Sequence, residues 1–368
     1  MIPSSPWPRP LGRNQGRTVR GGDCDHEILR HAWADYGDPR RLSSIVEVSA
    51  DVSTNRVYRL VLDNGSAVVA KVSAYGSYYL FREDHDRLHR LHVLLARTRY
   101  KHLLADVLQR HGRTYTYDRG DAWVALYEEV ERRHQLPRII EDDQVDNMAE
   151  EMALFHRQCA DLAPVIPGSS TSIKVDAIHI LDMARNPETS QALHLSPGQL
   201  AVVERHARLF LDRLDELGYD ELQRIPVLID WNLGNFSVET APDGRFRLFS
   251  RWDYDWFRID PKVLDFYSFS RVSSSTGDRT QFTYSAHTLL EPRFQRFLGA
   301  YHRINPLTEV DIQLIGEAYR FFLLNYVIGQ GEHFFIPALA ATLRREAVDV
   351  HLPALERLDL SPLLALLD

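Results

Sequence analysis

The sequence predicts an α+β fold in two parts, strands in front and helices behind. Three observations carry that expectation. From Leu42 to about Val130, short β-branched or alternating runs are broken by turn signals. From about Asp142, apolar residues recur at spacings of three and four. With 368 residues, 44% hydrophobic and 26% charged, the chain can bury a large core and does not have a disordered composition. The expected division is a flexible tail over 1–22, a small strand-rich part over 23–130 and a larger helical part over 131–368.

The tail is rich in Pro, Gly and Arg and has no acidic residue. Ile45-Val46-Glu47-Val48 reads as a short strand. Asn55 to Leu62 alternates, with Val57, Tyr58, Leu60 and Leu62 apolar, and Asp63-Asn64-Gly65 gives a hairpin turn because Asn-Gly tolerates positive φ. Ala67 to Val72 is the next strand, apolar except for Lys71. Residues 78–98 read as a helix with Leu80, Leu88, Leu91 and Leu95 on one side. Trp123-Val124-Ala125-Leu126-Tyr127 closes the strand-rich part. Behind it, Val145, Met148, Ala149, Met152, Phe155 and Cys159 make an amphipathic stripe. A second helix opens at Ser196-Pro197-Gly198-Gln199, with capping-box residues and an early Pro, and stops at Gly218. Residues 308–328 form a third helix, apolar nearly all round and therefore buried.

Composition excludes several classes. The formal net charge is −8, from 43 Lys+Arg against 51 Asp+Glu, which argues against a nucleic-acid partner. Two cysteines, Cys24 and Cys159, make no disulfide framework or thiolate metal site, and a reducing cytoplasm is the simplest location. No apolar run reaches membrane-spanning length, so no membrane role is expected. Oligomeric state is not readable. No Gly-x-Ser-x-Gly elbow supports serine hydrolase chemistry. Gly329-Gln330-Gly331 follows a helix and reads as a helix stop. His85, His89 and His92 share a helix face, but no carboxylate or cysteine pattern turns that face into a zinc site.

The chemistry-bearing residues fall in order along the chain. Lys71 needs an anionic partner or an exit to water. The first would be nucleotide phosphates plus a helix carboxylate, for which Glu83 is better placed than Asp84 or Asp86. The turn holding Ser53, Thr54 and Asn55 either covers phosphates or is an ordinary polar hairpin; it has no glycine. Next, Val227-Leu228-Ile229-Asp230-Trp231-Asn232-Leu233-Gly234-Asn235 places Asp230 and Asn235 five apart in a loop after an apolar strand. Asp253 and Asp255 follow the strand Phe246-Arg247-Leu248-Phe249. Phosphoryl transfer uses these groups: a carboxylate to orient the attacking hydroxyl, and an amide oxygen with a second carboxylate for magnesium. Trp231, Trp252, Tyr254, Trp256 and Phe257 crowd the same stretch, either as packing between strands or as a wall for a ring-shaped or cationic acceptor.

These segments together resemble the aminoglycoside phosphotransferase and choline kinase family, the small-molecule branch of the protein-kinase-like fold. Val69-Ala70-Lys71 is similar to the family's nucleotide-lysine strand, and Asp230 to Asn235 to its His-Gly-Asp-x-x-x-x-Asn catalytic loop. Trp252-Asp253-Tyr254-Asp255 is similar to its magnesium strand end, and Ile259-Asp260-Pro261-Lys262-Val263-Leu264-Asp265-Phe266 to its Gly-Asp-Pro-x-x-Asp-Leu segment. The resemblance covers about residues 42–270. It implies a two-lobed fold and an ATP- and Mg2+-dependent kinase acting on a hydroxyl of a small polar molecule such as an aminoglycoside, amino alcohol or sugar. In that scheme Asp230 orients or deprotonates the hydroxyl, and Asn235 with Asp253 or Asp255 binds magnesium. Lys71, braced by Glu83, holds the phosphates beneath Ser53, Thr54 and Asn55. The hinge from Glu128 to Val130 meets the adenine, and Asp265 supports the catalytic loop. Glu332, His333 and Phe334 fall where the family's late helices approach the acceptor.

Two departures matter. The family's His-Gly is Leu228-Ile229 here, which removes a loop-bracing histidine, and two acids, Asp253 and Asp255, compete for the metal. The other reading these departures support is a catalytically silent kinase-like protein that binds a nucleotide or a partner.

Overall fold

The structure, a computed structural model, describes residues 22–49, 56–74, 76–277 and 284–367. Ser53, Thr54 and Asn55 lie outside the described residues. The chain divides into two compact units. The first comprises the described residues up to Asp86 and Asp106–Glu129, and the second Arg87–Ala105 and the residues from Val130 onward.

The first unit opens with a helix that the sequence analysis did not predict, α1 (Gly22–Tyr36). Its apolar residues Ile28, Leu29, Ala32 and Trp33 recur as adjacent pairs four apart, one face of a helix. Next come β1 (Leu42–Glu47), β2 (Arg56–Leu62), β3 (Ala67–Ser73) and α2 (Tyr78–Leu95). A small hairpin, β4 (Gln109–Arg110) and β5 (Arg113–Thr114), precedes β6 (Thr116–Asp118) and β7 (Trp123–Glu128). The five longer strands form an antiparallel sheet in the order β1-β2-β3-β7-β6. The predicted turn joins β2 to β3: Gly65 has φ +84° and its N–H reaches the Leu62 carbonyl at 3.0 Å. Alternation places Tyr58, Leu60, Leu62, Val68, Ala70 and Val72 on one buried face, covered by α1. The opposite face carries Lys71, which pairs across the sheet with Val57 and Ala125. There α2 packs through Phe81 and His85 against Trp123 and Tyr127.

The second unit is mainly helical. Its helices are α3 (Asp142–Leu162), α4 (Ile173–Arg185), α5 (Pro187–Ser190) and α6 (Pro197–Glu216). After the sheet segments described next come α7 (Leu264–Val272), α8 (Pro292–Ile304) and α9 (Glu309–Phe321). The predicted stripe on α3, from Val145 to Cys159, is wholly buried, and α3 packs on α8. At the head of α6, Ser196 Oγ accepts the Gln199 N–H at 3.3 Å and Gln199 Oε1 accepts the Ser196 N–H at 3.0 Å. Past its end, Gly218 takes φ +65°. The expected single helix over 308–328 is instead α9 followed by a wide helical segment of i→i+5 type, Phe322–Gly329. Two short antiparallel ladders carry the loops of interest: β8 (Ile225–Val227) with β11 (Arg258–Asp260), and β9 (Phe236–Thr240) with β10 (Phe246–Arg251).

Candidate functional site

The loop between β8 and β9 begins with an unfavourable conformation. Ile229 has φ +58°, the left-handed region, which a β-branched residue enters only under constraint. The family pattern has a glycine at this place. The constraints on Ile229 are visible. The N–H groups of Leu228 and Ile229 both donate to Asp265 Oδ1, at 3.1 and 2.5 Å, and the Asp230 N–H closes a tight turn on the Leu228 carbonyl at 2.7 Å. Asp265 stands on α7 with no exposed surface, so these bonds are sheltered from water. On the other side, the fully buried Arg251 sends Nη2 to the Asp230 carbonyl at 2.7 Å and Nε to the Asp253 carbonyl at 2.8 Å. One guanidinium thus ties the backbone of Asp230 to that of Asp253. The net effect is to fix the backbone from which the Asp230 side chain projects.

That carboxylate is met by two donors of its own loop. Asn235 Nδ2 donates to Oδ2 at 2.9 Å, and the Asn232 N–H reaches Oδ1 at 3.3 Å. With its Nδ2 so engaged, Asn235 has its Oδ1 left for a cation. Burial, and next the charge of Asp253, push the Asp230 carboxyl up from the usual 3.8 to about 6, against the nearby Arg251 and Arg271. Two carboxylates facing one another, beside an amide oxygen, is the arrangement a divalent ion relieves. The charge of Asp253 is the one that raises Asp230 most after burial itself. Asp253 Oδ1 accepts the Asp255 N–H at 3.2 Å. Among the described residues no three His, Cys, Asp or Glu side chains converge as a metal cage. An amide oxygen and a carboxylate are the kinds of donor that a hard, oxygen-seeking cation takes.

In the first unit, Lys71 is partly buried, and after burial itself its charge is what holds the His85 imidazole down, to about 3. Lys71 therefore faces α2, where Glu83 lies two residues before His85. His85 bonds the Phe81 carbonyl and the Tyr127 hydroxyl, and His92 the Leu104 carbonyl. Two of the three histidines of that face are thus held by structural bonds. Glu128 ends β7 with its N–H bonded to the Asp106 carbonyl at 2.9 Å, which takes that donor away from any bound base. Val130 is partly buried just beyond.

The aromatic group divides. Trp231, Tyr254 and Phe257 are buried, Trp231 among Phe155, Phe236 and Phe269. Trp252 and Trp256 remain partly exposed. The Arg132 guanidinium lies 4.0 Å over Trp252, and Trp256 stacks on Tyr326 and meets Phe334 edge-on. Glu332 pairs with Arg344 at 3.0 Å.

Sequence reasoning missed Arg251, Arg271 and His156. Arg271, on α7, bonds Asn232 Oδ1 and lies near enough to Asp230 to oppose its upward shift. His156, on α3, bonds the second oxygen of Asp265. Arg251 carries a readable signal, an arginine at the inner end of an apolar strand, for the same reason that singled out Lys71. His156 lies within the apolar stripe of α3 next to Phe155 and gives no such signal.

A five-stranded antiparallel unit with one lysine on its α2 face, and a helical unit carrying Asp-x-x-x-x-Asn between short ladders, define a kinase-like fold. Solved structures bear this out: the chain shares the fold of the small-molecule phosphotransferases. The microcompartment-associated aminopropanol kinase is 17% identical, with a TM-score of 0.60 over 90% of this chain and 97% of that one. The aminoglycoside phosphotransferase APH(2")-IIia, solved with GDP and kanamycin, is 12% identical, with a TM-score of 0.56 over 90% and 98%. Amicoumacin kinase hAmiN, solved with AMP-PNP, Ca2+ and Ami, is 14% identical, with a TM-score of 0.51 over 92% and 97%. No protein-family model and no curated protein matches the sequence.

Proposed function

We propose that the chain is a phosphotransferase that moves the terminal phosphoryl group of ATP, with magnesium, to a hydroxyl of a small polar molecule. The observation that carries this is the Asp230 carboxylate, held by Asn235 and faced by the charge of Asp253 on a loop whose backbone is locked by Asp265 and Arg251. In the reaction the acceptor oxygen bonds to the γ-phosphorus as the bond to the β-phosphate oxygen breaks and ADP leaves. The acceptor proton passes to Asp230, whose raised affinity for protons suits it to receive one near neutrality. Asn235 Oδ1 and Asp253 would hold magnesium, which would supply positive charge to offset that of the phosphates, with Asp255 as the alternative ligand. Lys71 would hold the phosphates with Glu83 as its brace. Ser53, Thr54 and Asn55 would cover them, and the carbonyl of Glu128 and the N–H of Val130 would meet the base. The aminopropanol, kanamycin and amicoumacin in the names of the similar structures support a small amine-bearing alcohol as the first acceptor class to try.

Two free cysteines, and the absence among the described residues of a helix long and apolar enough to cross a membrane, are in keeping with cytoplasmic residence, which is part of the proposal. The test is ATP consumption across aminoglycosides, amino alcohols, choline-like amines and sugars, alongside Asp230→Ala. Acceptor-dependent consumption that the variant lowers by about 10²–10⁴ is expected, the range general-base catalysis contributes. Full activity in the variant would refute the assignment. Nucleotide binding with no turnover on any acceptor would leave the catalytically silent reading, which Leu228-Ile229 motivates.

A further inference from the structure

We propose that His156 is a positioning residue for the catalytic loop, acting through a buried relay that runs from α8 through α3 to the backbone before Asp230; the proposal rests on the phosphotransferase reading of that loop.

The relay is continuous. Asn305 Nδ2 donates to the Tyr301 hydroxyl at 2.8 Å. Tyr301 Oη lies 2.8 Å from His156 Nδ1, and His156 Nε2 lies 2.8 Å from Asp265 Oδ2. The other carboxylate oxygen, Oδ1, accepts the N–H groups of Leu228 and Ile229. Tyr301, His156 and Asp265 have no exposed surface, so water cannot substitute for a missing partner.

One proton arrangement satisfies every member. Since Asp265 Oδ1 is committed to two backbone donors, Oδ2 needs a donor, which Nε2–H supplies. Nδ1 is then an acceptor for the Tyr301 O–H, whose lone pairs are open to Asn305. The imidazole, donating through Nε2 and accepting through Nδ1, is then held in a single tautomer. Turned to the other tautomer, it would set a lone pair against the carboxylate. Asp265 would be free to swing, and Ile229 would lose the bonds that keep it left-handed. The catalytic loop has no histidine of its own; an imidazole from α3 braces it from behind.

Three variants test this: Tyr301→Phe, His156→Gln, whose amide N–H can still reach Asp265, and His156→Phe. The readouts are kcat, the KM for ATP and hydrogen exchange at the Leu228 and Ile229 amides. His156→Phe should lower kcat about 100-fold and Tyr301→Phe about tenfold with the KM for ATP unchanged, because the loss falls on orientation and not on binding. Exchange at the two amides should quicken in both, and His156→Gln should restore most of both properties. Wild-type kcat and exchange in His156→Phe and Tyr301→Phe would overturn the proposal. So would equal loss in the Gln and Phe variants with matching loss of thermal stability, since that marks packing alone. If the unaltered chain turns over no acceptor, the phosphotransferase reading falls by itself. Amide exchange still decides the relay: quickened in the Phe variants it stands, unchanged it fails.

Discussion

Asp230 is the residue on which most of the chemistry turns, and its environment makes its behaviour with pH calculable. A carboxyl raised to about 6 is neutral below that pH and cannot accept a proton, so kcat should fall as pH drops through about 6. Saturating magnesium should move that limb to lower pH, because a cation on Asp253 cancels the repulsion behind part of the shift. A pH–rate profile at two magnesium concentrations checks both; a profile flat from pH 5 to 8 contradicts them. The same shift costs stability. Below about 4 the group is protonated in both the folded and unfolded chain and contributes nothing. As pH rises past 4 the unfolded chain ionises first, and the full penalty is present above 6. Asp230→Asn should therefore stabilise the metal-free protein at pH 7 by about 1–3 kcal/mol and by almost nothing at pH 4, measured by urea titration. Ile229→Gly relieves the left-handed strain, worth about 1–2 kcal/mol, but frees the unfolded chain by a comparable amount, so a near-zero net change is expected. The pair Asp230 and Asn235 was legible in the sequence because both belong to one loop. Arg251 and Asp265 reach that loop from elements 20 or more positions away, with |i−j| of 21 and 36. Spacing along the chain says nothing about such contacts.

At the scale of elements, legibility followed locality. The head of α6 was readable because Ser196, Pro197 and Gln199 act within one turn, and Ser196→Ala should cost about 1 kcal/mol in a chemical denaturation curve. The hairpin at Gly65 and the stripe of α3 were readable for similar reasons. By contrast, α1 carries no local signal, because its four anchoring residues mean little without the sheet face they cover. The break between α9 and Phe322–Gly329 is hidden because every residue from Phe322 to Ile328 is buried and only Asn325 is polar, so the apolar run continues across the change of helical pitch. Wide turns of that kind frequently accompany functional sites. This one carries Tyr326, the stacking partner of the partly exposed Trp256. Trp256→Ala should raise the KM for the acceptor several-fold and leave that for ATP alone, as steady-state kinetics with each substrate varied will show.

For the whole molecule, composition bounds the class and is silent about the chemistry. A net charge of −8 and two free cysteines narrow the class, and the order Lys71, Glu83, Asp230, Asn235, Asp253 carries the phosphotransferase proposal. The similar solved structures, at 12–17% identity, agree on fold while sharing little sequence, so local patterns and not overall similarity are what could be read. Because the proposed ligands belong to the folded chain only, MgATP at 100 times its Kd should raise unfolding free energy by about 2.7 kcal/mol. Lys71→Ala should abolish most of that gain while leaving the ligand-free melting temperature nearly as before. An undiminished gain would remove Lys71 from the phosphate site.

The N-terminal helix has a practical bearing on how the gene can be handled. Expression clones are often trimmed to the first recognisable strand, here Leu42. Such a clone would discard the lid over Tyr58, Leu60 and Val68 and leave a greasy plate open to water. The product should collect in inclusion bodies, whereas clones begun at Gly22 should remain in the supernatant.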